Sequence, residues 1–335
     1  MNTPSSPMLT VSPSPHIRHH VTTASIMGDV CIALLPALLW GCYVFGLRAL
    51  LLTAISVGSC MLFEWLYEKL LKLPVRVFDL SSAVTGILLA LSLPASVPLW
   101  VPILGGFFAI VIVKMLFGGI GKNIVNPAAA ARVFLFISFP AMLNTFTAPF
   151  DRLPALSVSV DAVSSATPLA ALKGGQLPES TLFDLVVGSV GGCIGEVSAI
   201  ALLIGFAYLL LRRVVSWQIP TAYLGTVLVL SLLFPQAENA TLMFALTEFF
   251  SGGLLLGALF MATDYTTSPV TPAGRLIYGF GCGALTVFIR FFGGYPEGVS
   301  FAILIMNLLV FYIDSFTRPK PYGFVKKKKD EAKAP

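Results

Sequence analysis

Apolar residues run together along this chain in stretches of roughly 17 to 25, and the stretches recur from end to end. A helix of that length covers a hydrocarbon core about 30 Å thick. The pattern predicts helices near 29–46, 49–67, 79–94, 99–117, 126–143, 190–211, 218–234, 249–264, 275–290 and 298–316. The expected fold is therefore an all-α polytopic membrane protein of about ten transmembrane helices.

Basic residues then orient the helices, because Lys and Arg in short loops are retained on the cytoplasmic side. Arg318, Lys320 and the run Lys326 to Lys329 mark the C-terminal end as cytoplasmic. An even helix count places Arg18, the loop with Lys69, Lys72 and Arg76, Lys122, and the pair Arg212 and Arg213 on that same side. The organisation expected is a cytoplasmic arm over 1–27, one transmembrane domain over 28–317 and a basic tail over 318–335. A long loop, near 144–189, falls on the outer face. Lys114 and Arg132 fall near the cytoplasmic ends of their helices, where long side chains reach the headgroups.

Composition agrees: of 335 residues, 56% are hydrophobic and only 11% charged, against about a quarter charged in a soluble domain. The five cysteines (Cys31, Cys42, Cys60, Cys193, Cys282) lie far apart, without the close pairing of iron–sulfur or zinc sites, and read as small buried residues. All three histidines sit in the N-terminal arm, so no membrane helix offers an imidazole to a haem iron. There is no nucleotide-binding fingerprint either, so electrons have to reach this chain from partners. Nothing points to nucleic acid.

Acidic residues near the membrane carry a cost that invites a functional reading. Asp79, Asp264 and Glu196 are candidates for an ion route, and interfacial caps are the alternative, with Asp79 stabilising a helix start. Glu196 is flanked by Gly191, Gly192 and Gly195, which permit close helix approach. A short echo links 78–86 to 248–253, at the expected starts of the third and eighth helices, and suggests two inverted five-helix repeats.

The long loop carries Asp161-Ala162-Val163-Ser164-Ser165-Ala166-Thr167-Pro168. Thr167 before Pro168 is a helix start, with the hydroxyl as N-cap and proline at the first position, and Gly174 and Gly175 end the turns that follow. A helix N-terminus also suits a phosphate.

Asp161-x-x-Ser164-Ser165-Ala166-Thr167 resembles the Asp-x-x-(Ser/Thr)-Gly-Ala-Thr signal at which a flavin transferase esterifies flavin mononucleotide onto the final threonine. The family is the RnfD and NqrB group, membrane subunits of the Rnf and sodium-pumping NADH:quinone oxidoreductase complexes. The resemblance extends through Ser14-Pro15-His16, Gly118 to Ala128, Gly195-Glu196-Val197-Ser198 and Phe260 to Asp264. The short length and brief arm resemble the RnfD branch. Ser165 stands where the signal usually has glycine.

The resemblance implies an electron-transfer subunit of a bacterial inner-membrane complex that couples redox chemistry of the NADH/ferredoxin class to Na+ or H+ translocation. It implies FMN covalently held by Thr167 on the outer face, with Asp161, Ser164, Ser165, Ala166 and Pro168 as the flavinylation motif. It also suggests noncovalent riboflavin nearer the cytoplasmic side, with Asn123 and Asn126 as candidate contacts. The implied partners are RnfA, RnfB, RnfC, RnfE and RnfG, the flavin transferase during maturation, and membrane lipid. An ion or small-solute transporter and a cofactor-free scaffold subunit are the alternatives.

Overall fold

The computed structural model describes residues 22–151, 154, 156, 167–174, 178, 180–235, 241–294 and 297–319. Asp161, Ser164, Ser165 and Ala166, the arm through His16 and the lysine run of the tail lie outside these.

Fourteen helical segments, besides a 3-10 turn at Val77–Asp79, are present among the described residues: α1 (Thr23–Phe45), α2 (Leu47–Leu70), α3 (Ser81–Leu91), α4 (Trp100–Met115), α5 (Pro127–Ser138), α6 (Pro140–Leu143), α7 (Pro168–Lys173), α8 (Leu182–Val187), α9 (Ala199–Leu211), α10 (Gln218–Leu233), α11 (Thr241–Phe250), α12 (Leu254–Met261), α13 (Pro272–Phe292) and α14 (Val299–Thr317). There is no strand among the described residues, only an isolated bridge between Pro94 and Cys193. Large apolar side chains such as Leu39, Leu70, Phe280 and Phe311 stand exposed on the flanks, where a lipid-facing surface needs them. The protein is all-α and membrane-embedded.

A helix stands at each of the ten expected places, but the boundaries need correction. The first begins at Thr23, where the Thr22 hydroxyl caps Ser25 N–H. The third stops at Leu91, and the sixth is helical only from Ala199. The eighth begins at Thr241 and breaks at Ser251-Gly252-Gly253, with α11 and α12 inclined at 58°. The repeat echo at 248–253 therefore falls on this break rather than on the start of that helix. Hydropathy ran past the end of the third helix and the start of the sixth because a hydropathy window does not register Pro94 or the glycines Gly191, Gly192 and Gly195, and it placed the starts of the first and eighth too late. Among the described residues, α1, α2, α13 and α14 are long and apolar enough to cross a membrane alone, which makes four spans, or five if α11 and α12 count as one.

Helix starts follow local side-chain chemistry. Asn126, Thr167, Ser198 and Thr271 each accept a backbone N–H of the first turn, three of them directly before proline. Thr181 and Asp184 form a capping box at α8, and hydrogen bonds from Thr181 and Ser189 hold the Asp184 carboxyl below its usual pKa.

Long-range contacts sort the loops to two ends. At one, Arg212 pairs with Asp29, Tyr265 donates to the Val214 carbonyl, Asn126 donates to the Met261 carbonyl and Thr271 meets Thr317. The start of α1 and the end of α14 share that end, which an even number of crossings requires. At the other end, Lys173 donates to the Gly293 carbonyl at 2.5 Å and Ser96 to the Thr145 carbonyl at 2.5 Å. Thr167 belongs there. Within the bundle α2 packs on α3 and α4, α10 on α11 and α13, α1 on α9, and α5 on α14. The α1–α9 contact is so close that a Cβ at Gly205 would overlap the Ala33 carbonyl oxygen. Glycine is required there.

Candidate functional site

At the Thr167 end, three stretches of chain leave helical conformation inside the bundle: 92–99, 188–198 and 251–253. Unwound backbone at membrane depth has to find hydrogen bonds within the protein. The first two stretches pair with each other, Ile194 N–H donating to the Leu93 carbonyl and Gly195 N–H to the Leu91 carbonyl. Buried arginines serve other carbonyls. Arg48 donates to Ala95 and Val97, and Arg290 to Glu248 and Ser251 while also pairing with the Glu248 carboxylate at 2.6 Å.

Thr167 stands beside this unwound region. Half-buried, its Oγ1 accepts Ala170 N–H at 3.2 Å, which leaves its own proton unengaged by the cap. It borders a cavity with Pro168, Gly191, Gly192, Gly252, Glu196 and Glu297. Gly252 has a φ of 66°, in the left-handed region, and a Cβ on Gly253 would lie 2.6 Å from Glu196 Oε1. Both glycines let the chain turn directly against the acidic side chain.

A second cavity shares Glu196 and Glu297 with the first, and its wall includes Arg132, Ser92, Gly253, Phe136 and Met261. Arg132 is 3% exposed. Its Nη2 donates to Glu297 Oε2 at 2.6 Å and to Cys193 Sγ at 3.4 Å. Its Nη1 is buried, with no partner among the described residues. Ligand atoms of Cys193, Glu196 and Glu297 lie within 4.8 Å of one another, a spacing a metal ion could use, but here the guanidinium supplies the positive charge.

The sequence expectation that Arg132 and Lys114 reach toward headgroups is overturned. Both point inward and both are ion-paired. Lys114, 3% exposed, contacts Glu64 Oε1 at 2.6 Å and Ser81 Oγ at 2.6 Å, tying α4 to α2 and to the start of α3. Sequence reasoning missed Glu64, Glu248 and Glu297 as partners. The available signal was an acidic residue within an apolar run, Glu64 above all.

The remaining candidates are dispersed. Asp79 Oδ1 accepts Ser81 N–H and Ser81 Oγ–H at 2.9 and 2.5 Å, which makes it the N-terminal cap of α3. Asp264 Oδ2 accepts from Thr266 and Thr267. Asp264 lines a cavity at the opposite end from Thr167, together with Asn123, Asn126, Lys114, Val84, Leu88 and Phe260. Asp79, Glu196 and Asp264 thus border separate cavities. Asn123 and Asn126 do share one, but the amide of Asn126 is engaged: Oδ1 accepts Ala128 and Ala129 N–H, and Nδ2 donates to the Met261 carbonyl at 2.9 Å.

Residues 10–323 match the sequence profile of the NQR2, RnfD and RnfE family. The chain belongs to that family. Among its relatives is the D subunit of the Na(+)-translocating ferredoxin:NAD(+) oxidoreductase complex of Acetobacterium woodii, 51% identical over 97% of this chain and 98% of the relative. The D subunit of the proton-translocating ferredoxin:NAD(+) oxidoreductase complex of Clostridium ljungdahlii is 39% identical over 94% of this chain and 96% of its own length. The D subunit of an ion-translocating oxidoreductase complex of Stutzerimonas stutzeri is 40% identical over 89% of this chain and 91% of its own length. The relatives of the RnfD branch thus include subunits of both sodium- and proton-translocating complexes.

Proposed function

We propose that this family member is the membrane-embedded electron-transfer subunit of an ion-translocating oxidoreductase complex of the ferredoxin:NAD+ class, with FMN esterified through its phosphate to Thr167. The observation that carries this reading is the place of Thr167: a half-buried hydroxyl whose proton the cap leaves unengaged, at the rim of a cavity lined by Gly191, Gly192 and Gly252. When bound, the flavin supplies the one- and two-electron chemistry, which no side chain of this protein offers.

The chain's own part is to tether, seat and insulate. Ester formation at Oγ1 preserves lone pairs for Ala170 N–H, so the α7 cap and the tether are compatible. Gly191, Gly192 and Gly252 leave room beside the tether, and Phe136 and Met261 provide apolar surface deeper in. Arg132, Glu196 and Ser92 give that space polar edges.

The same reading gives the chain its orientation. Lys69 in the last turn of α2, and Lys72, Arg76, Lys122, Arg212 and Arg213 beyond helix ends, sit on the end where Asp29 meets Arg212, and the basic tail comes after α14 in sequence. That end is cytoplasmic by the positive-inside rule, which puts Thr167 on the outer face. Ten crossings then follow, the short helices α3 and α9 completing theirs through the paired unwound segments. The packing of α2 and α10 on corresponding neighbours, and of α1 on α9 and α5 on α14, is what two inverted repeats would produce. The reading assigns the noncovalent riboflavin to the cavity at the cytoplasmic end that Asn123 and Asn126 line together with Val84, Leu88 and Phe260. Glu196, Asp264 and Asp79 stay candidates for ion passage. The partners are the other Rnf subunits, with the flavin transferase acting before assembly.

In-gel flavin fluorescence of the denatured chain, made alongside its flavin transferase, tests this reading. A fluorescent wild-type band that goes dark in Thr167→Ala is expected. A dark wild-type band with an unmodified intact mass would favour a transporter or a cofactor-free scaffold instead.

A further inference from the structure

We infer that the cavity between the end of α2, the 3-10 turn and the loop after α4 binds the phosphoethanolamine headgroup of a membrane phospholipid. This cavity lies at the opposite end from Thr167 and owes nothing to the flavin. Its volume is about 420 Å3, and its wall holds acids and bases together: Glu64, Glu68 and Asp79 with Arg76 and Lys122. Such a space is of the size that seats small ligands. Leu73 and Leu116 line it as well and are exposed, so the charged wall continues into an apolar flank. Trp65, with Lys69 Nζ 4.6 Å from its ring, stands on the last turns of α2, and tryptophan gathers at the headgroup level of a bilayer. The position therefore calls for an amphipathic occupant.

The charges narrow its polar end. Glu64 is already neutralised, its Oε1 lying 2.6 Å from Lys114 Nζ. Two carboxylates and two cations remain. Glu68, 3% exposed, gives Oε2 to Arg76 N–H at 3.0 Å, and Asp79 gives Oδ1 to the α3 cap. One oxygen of each is left without a partner among the described residues. The charged ends of Arg76 and Lys122 take part in none of the ion pairs among those residues. A free anion would meet the two carboxylates, and a free cation the guanidinium and the ammonium. A zwitterion satisfies both halves of the wall. Its phosphate suits Arg76 and Lys122, and a primary ammonium, with three N–H donors, suits the two open carboxylate oxygens. A trimethylammonium group has no such donors, and a glycerol headgroup has no positive charge.

Native mass spectrometry of the full chain, titrated in detergent with phosphatidylethanolamine, phosphatidylcholine or phosphatidylglycerol, tests the site. Phosphatidylethanolamine is expected to be retained best. Lys122→Gln, at an exposed position, removes a phosphate contact and is expected to weaken all three lipids about tenfold, the loss of one charge-assisted hydrogen bond. Glu68→Gln keeps an acceptor for Arg76 N–H and is expected to weaken phosphatidylethanolamine alone, down to the level of phosphatidylcholine. Should that variant fail to fold, Asp79→Asn, which retains an oxygen for the α3 cap, carries the same expectation. A purely structural role for these carboxylates would not move the choice between headgroups. Equal retention of the three lipids by the wild type, a preference for phosphatidylglycerol, or selectivity unchanged in the folded carboxylate variants would overturn the inference. Soluble phosphoethanolamine at the same concentration is expected to leave the lipid in place, because it lacks the acyl chains; displacement would assign the site to a soluble compound and remove the lipid from it.

Discussion

Two helix starts in this protein obey the same local rule and end in different roles. Asn126-Pro127 opens α5 and Thr167-Pro168 opens α7, each with a side-chain oxygen on a first-turn N–H and proline where no donor is needed. Asn126 is 3% exposed and takes two N–H groups, while its amide nitrogen reaches the Met261 carbonyl, 135 residues away. Thr167 is half-buried, takes one N–H at 3.2 Å and faces a cavity. The first is a knot in the tertiary structure; the second, on the function proposed above, is the attachment point on a short, six-residue helix. What separates them is long-range: who else needs the side chain.

The contrast extends to the charged groups beside each cap. At the Asn126 end, Lys114 is closed by Glu64 and Ser81, both at 2.6 Å and both buried. At the Thr167 end, Arg132 keeps an open donor and its partner Glu297 has a side chain 18% exposed. The largest effect is therefore expected from Lys114→Met, which strands the Glu64 carboxylate out of reach of water and costs about 3–5 kcal/mol. Thermal unfolding in detergent should show this loss, and the double variant Lys114→Met/Glu64→Leu should recover most of it. Arg132→Gln should cost less than Lys114→Met, because Glu297 retains access to water. Equal losses would mean that the two ends are not different in kind.

An intermediate effect is expected at the cap itself. Asn126→Ala removes the acceptor for two buried N–H groups and the donor to Met261, for a loss of about 2–3 kcal/mol. Asn126→Thr restores a cap but not the amide donor, so it should recover only part of the loss in the same unfolding assay. Full recovery would show that the tie to Met261 contributes nothing.

These particulars show what was legible beforehand. The helix starts at Asn126 and Thr167 could be read because capping depends on neighbours along the chain, whereas the helix that Thr271 caps was expected only from 275. The breaks at 188–198 and 251–253 could not, because glycine within an apolar run looks like helix until a packed neighbour shows why the chain must turn, whereas most of the break at 92–99 was legible, the expected helices ending at 94 and resuming at 99. Gly253 is an example: its requirement is set by Glu196, which is distant in sequence and only 2.6 Å from a Cβ placed there. The inward turn of Lys114 and Arg132 was hidden for the same reason, their carboxylates being 50 and 165 residues away. Thr167 was legible as a helix cap, and the resemblance is what proposes it as a tether; the cavity beside it was not legible.

The smallest expected change in stability is also the one that separates the two roles of Thr167. Asparagine caps helices at least as well as threonine, so Thr167→Asn keeps an acceptor for Ala170 N–H and should alter the unfolding midpoint by less than the equivalent of about 0.5 kcal/mol. It has no hydroxyl to esterify, so in-gel fluorescence should vanish completely. Thr167→Ser keeps both functions and should retain both signals. If Thr167→Asn instead destabilised the chain as much as Asn126→Ala does, Thr167 would be a second structural knot. The loss of flavin in Thr167→Ala would then report a damaged fold rather than a missing attachment point. A stable, dark Thr167→Asn chain beside a stable, fluorescent Thr167→Ser chain assigns the cap to geometry and the tether to the hydroxyl, with the fold held constant between them.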